Sequence, residues 1–141
     1  MEHAALDDRI AWAWRAFWSV KSQLQCKRAR YALRLRLLNS TVFSVFSWGM
    51  TTEDMTRHVL EKTRHMHNRM LRITLHMFKG RDMSWVEYHD DCRVKIDEAL
   101  RNNCMESWDK TLCRQHWRAM GLFARMEETS LCYSGLRAGG L

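Results

Sequence analysis

Proline occurs nowhere in this chain, and glycine stands only at positions 49, 80, 121 and within the last seven residues. Proline removes a backbone donor and clashes inside a helix, and glycine there costs about 0.5–1 kcal/mol relative to alanine. With so few breakers, long helices meet little resistance, and an all-α protein follows. The hydrophobic residues, 46% of 141 and including seven Trp and ten Met, are enough to fill one core.

Apolar spacing predicts five helices. The first runs from about Leu6 to Gln25, with Ile10, Trp14, Phe17 and Leu24 on one face and Trp18 beside it. The second runs from about Lys27 to Ser47. Tyr31, Leu35, Leu38, Val42, Val45 and Phe46 form its main stripe, and Leu33 and Leu37 a lesser one opposite, so burial on two sides is expected. Thr51-Thr52-Glu53-Asp54 reads as the start of a third helix, with a hydroxyl cap followed by acids that suit the positive end of the helix dipole. It should continue to about Phe78 and stop at Lys79-Gly80, where glycine can take the left-handed conformation. Ser84-Trp85-Val86-Glu87 is a capping box that opens a fourth helix to about Arg101. A fifth begins near Ser107 and reaches about Met126. The residues after Glu127 lack an apolar period, and a frayed tail is expected there.

Charge is placed unevenly. Residues 27–80 hold eleven Lys or Arg and three Asp or Glu, a balance of +8 in a chain whose total is +7. At ~100° per residue, Met55, Val59, Leu60, Met66, Met70, Leu71, Ile73, Met77 and Phe78 fall on one half of the third helix. Arg57, His58, Arg64, His65, Arg69, Arg72 and His76 fall on the other, with Lys62 at the margin and Glu61 the only acid. Solvated helix faces usually mix Glu with Lys, and an acid-poor face suits a polyanion, whose phosphates Arg and Lys neutralise while releasing counterions. Arg34 and Arg36 could extend that face. The histidines add charge only below about pH 6.5.

Several patterns are weighed and set aside. Tyr88-His89-Asp90-Asp91 fits the Tyr-x-Asp-Asp pattern of reverse transcriptase metal sites, but a hairpin must display those acids beside a third carboxylate, and here they lie inside an amphipathic helix. Cys104, Cys113 and His116, with Cys92, invite a zinc reading. Only Cys113-x-x-His116 has close spacing, and buried free thiols explain the cysteines better. No cofactor is called for, and no local signature supports a nucleophile set. The longest run free of formal charge, Leu37 to Thr52, is broken by polar residues and is shorter than the ~20 apolar residues of a membrane span. An odd count of five Cys and the acids Asp7 and Asp8 near the start point to a reduced, intracellular chain, nuclear or cytoplasmic.

Three segments, in order, resemble the region after the catalytic palm in non-LTR (LINE-type) retrotransposon reverse transcriptases. Leu33-Arg34-Leu35-Arg36-Leu37-Leu38-Asn39-Ser40-Thr41-Val42-Phe43-Ser44-Val45-Phe46-Ser47-Trp48-Gly49 is similar to the family's helix ending in an aromatic-Gly pair. Leu60-Glu61-Lys62-Thr63-Arg64-His65-Met66-His67-Asn68-Arg69-Met70-Leu71-Arg72 resembles its run ending Asn-Arg-Met-Leu-Arg. Trp117-Arg118-Ala119-Met120-Gly121-Leu122-Phe123-Ala124-Arg125-Met126 is similar to its Trp-x-x-x-Gly-His-x-x-Arg-Met segment. Ser44 stands where many relatives carry Pro, and Leu122 where His is common, so no role of that His carries over.

The resemblance implies a helical thumb, which grips a template–primer duplex, over residues 1–80. A post-thumb region over 81–127 would share one structural unit with it, and 128–141 would be a flexible tail. It implies nucleic-acid contacts by Arg34, Arg36, Arg57, Arg64, Arg69 and Arg72 to an RNA or RNA–DNA duplex, mostly through phosphates and shape. Trp48 and Gly49 would close the second helix against the third. Fingers and palm are absent from this sequence, so no catalytic residue is expected and the fragment would not polymerise alone. In a full-length parent those parts would be its partners. Neither a membrane nor a small molecule is implied. The alternatives are a basic helical protein-interaction module with an acidic partner, or a degenerate element remnant without selected function.

Overall fold

The computed structural model describes residues 2–50 and 54–129. It is all-helical, and among the described residues it contains no strand. The order is α1 (Glu2–Ser19), α2 (Lys21–Leu24), α3 (Tyr31–Leu38), a π-helical turn (Asn39–Phe43), α4 (Ser44–Ser47), α5 (Arg57–Thr74), α6 (Trp85–Asn102) and α7 (Trp108–Thr129). No helix is long and apolar enough to cross a membrane among the described residues.

The first two expected helices are subdivided. The first breaks at Val20, whose φ of −114° and ψ of 13° leave the helical range. The second does not start at Lys27: residues 25–30 form a turn, and Arg30 is extended ahead of Tyr31. Lys27, Arg28 and Arg30 would have placed three cations at the positive end of a helix dipole, which opposes a start there. Further on, hydroxyl side chains compete for helix carbonyls. Thr41 Oγ1 donates to the Leu37 carbonyl at 2.6 Å and Ser44 Oγ to that of Ser40 at 2.7 Å, where the helix widens into its π turn.

The third expected helix is trimmed at both ends. Its proposed start at Thr51–Glu53 lies outside the described residues, Asp54 is not helical, and α5 begins instead after Thr56, whose hydroxyl accepts from the Val59 N–H at 3.3 Å. Its end falls before Lys79-Gly80. His76, at φ +55°, takes the left-handed position, with His76 N–H donating to Ile73 and Met77 N–H to the Arg72 carbonyl. That is a Schellman stop without glycine. A carbonyl left open by that stop is met from elsewhere in the fold: Arg34 Nη1 donates to the Thr74 carbonyl at 2.8 Å, the acceptor that the Phe78 N–H would take if the helix continued, and also to that of Leu24 at 3.3 Å. One buried guanidinium therefore caps the ends of both α2 and α5.

α6 opens with the expected capping box, Glu87 N–H donating to Ser84 Oγ at 3.2 Å. It closes with the same stop as α5, with Cys104 left-handed at φ +52° and Met105 N–H donating to the Leu100 carbonyl. α7 runs to Thr129, so residues 128 and 129 are helical, and the rest of the expected tail lies outside the described residues.

One core joins both expected regions, from Leu6 and Phe17 through Leu35, Leu38, Phe46 and Met70 to Ile96, Trp108 and Leu112. Some expected stripe residues do not reach it. Tyr31, Leu33, Val45 and Phe78 are exposed, so α3 is buried on one side only. The aromatic-Gly pair also acts differently from expectation. Trp48 is exposed while its carbonyl accepts from Arg9, and Gly49 turns the chain at φ +75° so that the next residue, Met50, enters the core.

A left-handed backbone is costly for a residue with a Cβ and free for glycine. Cys104 is exposed, with nothing to lose from its side chain. Cys104→Gly should therefore raise the unfolding free energy by about 1 kcal/mol, measured by urea denaturation under reducing conditions. An unchanged or lower value would show that the left-handed turn carries no strain.

Candidate nucleic-acid interface

α5 is the most strongly amphipathic helix, and its azimuth decides which charges meet solvent. At about 100° per residue, Arg64, Arg57, Asn68, Glu61, Arg72, His65, His58 and Arg69 share an arc of about 140°. All are exposed or half-buried. The opposite side, with Thr63, Met66, Met70 and Thr74, is buried.

The arc is bounded on both flanks by specific contacts. Toward α1, Lys62 Nζ lies 2.8 Å from Asp7 Oδ1, and the Arg69 guanidinium lies over the Trp14 ring at 5.2 Å. Trp14 in turn stacks on Trp18, over which Lys21 sits at 5.0 Å. A cation over an aromatic face is held by the ring quadrupole, so Arg69 is oriented without losing its charge.

Toward α7 the boundary is His67, which helical spacing alone does not mark as a site residue. Its ring is parallel to that of Trp108 at 4.1 Å, and the Trp108 backbone N–H donates to His67 Nδ1 at 3.2 Å. Burial pushes the His67 pKa down to about 3. Acceptance at Nδ1 requires the neutral ring with its proton on Nε2, and burial favours that neutral form. The available signal was position: His67 falls among Thr63, Met70, Leu71 and Thr74 at helical spacing. Its partner lies 41 residues away and left no local trace.

Of the six arginines expected as contacts, four share the arc. Arg57 is paired with Glu61 at 2.9 Å, and that guanidinium, with Arg64 and His65 adding to it, holds the Glu61 carboxyl below its usual range. Arg64 and Arg72 form no ion pair among the described residues. Arg36 is exposed on a different helix, α3. Arg34 is placed otherwise than expected: it is 4% exposed and engaged with two carbonyls, so it faces the interior.

Two residues of the Tyr-x-Asp-Asp pattern make contacts within the helical fold. Tyr88-His89-Asp90-Asp91 lies within α6, where Asp91 pairs with Lys95 at 2.9 Å and the Tyr88 hydroxyl donates to the Met77 carbonyl at 2.9 Å. Cys92 is buried as expected of a free thiol, but Cys104 is exposed and Cys113 half-buried. Among the described residues, no three His, Cys, Asp or Glu side chains gather as a metal site, Cys104, Cys113 and His116 included. No family model, curated protein or solved structure matches the chain.

The neutral His67 makes stability depend on pH. Its folded pKa lies below the unfolded value of ~6.5, so the unfolded chain takes up the proton first. The contribution is complete above ~pH 6.5 and is lost as pH falls from there toward 3. Urea unfolding should show about 2 kcal/mol less stability at pH 5.0 than at pH 7.5, with a much smaller difference in His67→Gln. Equal acid losses in both proteins would assign the effect to other groups.

Proposed function

We propose that this chain is a helical thumb and post-thumb fragment of a non-LTR retrotransposon reverse transcriptase. It would grip an RNA or RNA–DNA duplex and would not be catalytic alone. The observation that carries the reading is the acid-poor arc of α5, on which Arg64, Arg69 and Arg72 stand with Glu61 as the one acid. Two of those residues, Arg69 and Arg72, close the second of the three segments resembling that family, while Met70 and Leu71 between them are buried. That motif thus sets cations on the solvent side of the helix on either side of two core residues, which suits a helix laid along a phosphate backbone. An intracellular location, nuclear or cytoplasmic, goes with this reading.

A duplex is held through such a face mainly by phosphate neutralisation, with little dependence on base sequence. A rigid helix also places its cations without ordering them anew on binding. Arg57 contributes least, because Glu61 already neutralises it.

The test is duplex binding by fluorescence anisotropy across a salt series. Arg64→Glu, Arg69→Glu and Arg72→Glu together should lower affinity on the order of 100-fold at ~0.1 M salt and flatten the log–log salt slope by roughly one per lost contact. Unchanged duplex affinity would refute the interface, and retained duplex affinity with loss of an acidic protein partner would favour the interaction-module reading.

Glu61→Gln separates the charge balance of the arc from its cation count. Releasing Arg57 should tighten duplex binding about 2–5-fold; no change would mean that Arg57 lies off the binding surface. With metal ions and a primed RNA template, the chain alone should extend no primer, and extension would overturn the non-catalytic assignment.

A further inference from the structure

A second surface lies at the end of the molecule where α5 stops. The turn 25–30 is fastened there to the end of α5: Gln25 Nε2 donates to the Ile73 carbonyl at 3.2 Å, and His76 Nε2 lies 3.0 Å from the Gln25 carbonyl. This brings two loops together. Lys27, Arg28 and Arg30 come from the first and Lys79 and Arg81 from the second, against the single acid Asp82. Lys27, Arg28, Arg30 and Arg81 form no ion pair among the described residues.

Between these loops and α6 lies an open groove of about 860 Å³, with Tyr31, Phe78 and Met83 among its lining residues. Phe78 is 70% exposed and Tyr31 53% exposed, in a chain that buries its other phenylalanines among the described side chains. Tyr31 is held in place from the protein side. The Arg34 guanidinium, fixed on the Thr74 and Leu24 carbonyls, packs against one face of its ring at 4.5 Å. A ring held this way loses little freedom when a second planar group stacks on it.

We infer that this groove binds a single-stranded stretch of nucleic acid, with bases stacked on Tyr31 and Phe78 and phosphates held by the cations of the two loops. Charge orients the strand. The groove wall carries Glu98 and the Asp91–Lys95 pair, which phosphates avoid and bases tolerate, whereas the flanking loops are nearly free of acid. Aromatic rings interleaved with unpaired cations are the usual composition of single-strand sites, because every base offers a face to stack. Arg34 serves here as a positioning residue for Tyr31. The groove lining includes none of the arginines assigned to the α5 arc, and the inference does not depend on duplex binding there.

The test uses the full chain and a fluorescein-labelled, unstructured 12-nucleotide RNA, followed by anisotropy beside a labelled duplex. Phe78→Ala with Tyr31→Ala should weaken binding of the single strand about 5–30-fold and leave duplex affinity within about twofold. Both side chains are largely exposed, so folding should persist, as circular dichroism would verify. Arg28→Glu with Arg30→Glu, which keeps both rings, should also weaken the single strand and reduce its salt dependence. Three results would overturn the proposal: unchanged single-strand binding in the aromatic variant, parallel loss of single strand and duplex in it, or poly-glutamate binding the unaltered groove as tightly as the RNA. If the α5 charge reversals leave duplex affinity unchanged while the aromatic variant loses the single strand, the duplex reading fails and this one stands.

Discussion

Trp108 sets the geometry on which the rest of the molecule depends. Its ring is 1% exposed, lies against His67 at 4.1 Å and Phe43 at 5.1 Å, and donates through Nε1 to Asn39 Oδ1 at 2.7 Å. One side chain therefore ties the start of α7 to α5 and to the π turn. A flat ring stacked on His67 and packed against Phe43 tolerates little rotation of α5, so this contact helps to fix the azimuth of that helix. Lys62–Asp7 and Arg69–Trp14 hold the other flank.

That azimuth has a chemical condition. His67 can accept from the Trp108 backbone and stack on its ring only while neutral, and burial keeps it so. The basic character of α5 therefore ends abruptly at its α7 flank, where a histidine behaves as a core residue. On the solvent side the same helix concentrates Arg64, Arg69 and Arg72, and its local charge is lowered by the pairing of Arg57 with Glu61. Net charge alone overstates what such a face offers a polyanion.

Arg34 illustrates how a residue type misleads when its partners are remote. Read along α3, it belongs with Arg36 as a surface cation. In the fold it reaches the carbonyls of Leu24 and Thr74, 10 and 40 residues away, and caps two helix ends at once. A guanidinium offers five donors in a fixed fork, which suits it to collect orphan carbonyls from converging helix ends. The apolar residues beyond that stop, Met77 and Phe78, then leave the helical register, and Phe78 reaches solvent instead of the core.

The amino-acid sequence by itself determined the helical class, the capping box at Ser84, the buried stripes around Phe17, Leu35, Leu38 and Met70, and the division of α5 into apolar and cationic halves. These depend on spacing within a single helix, a property of consecutive residues. The tertiary structure alone decided that α5 stops at Thr74, that Arg34 is interior, that His67 is neutral, and that two basic loops meet beside Tyr31 and Phe78. Each of those needs a donor and an acceptor, or two rings, brought together from distant parts of the chain, and helical periodicity carries no record of such pairings.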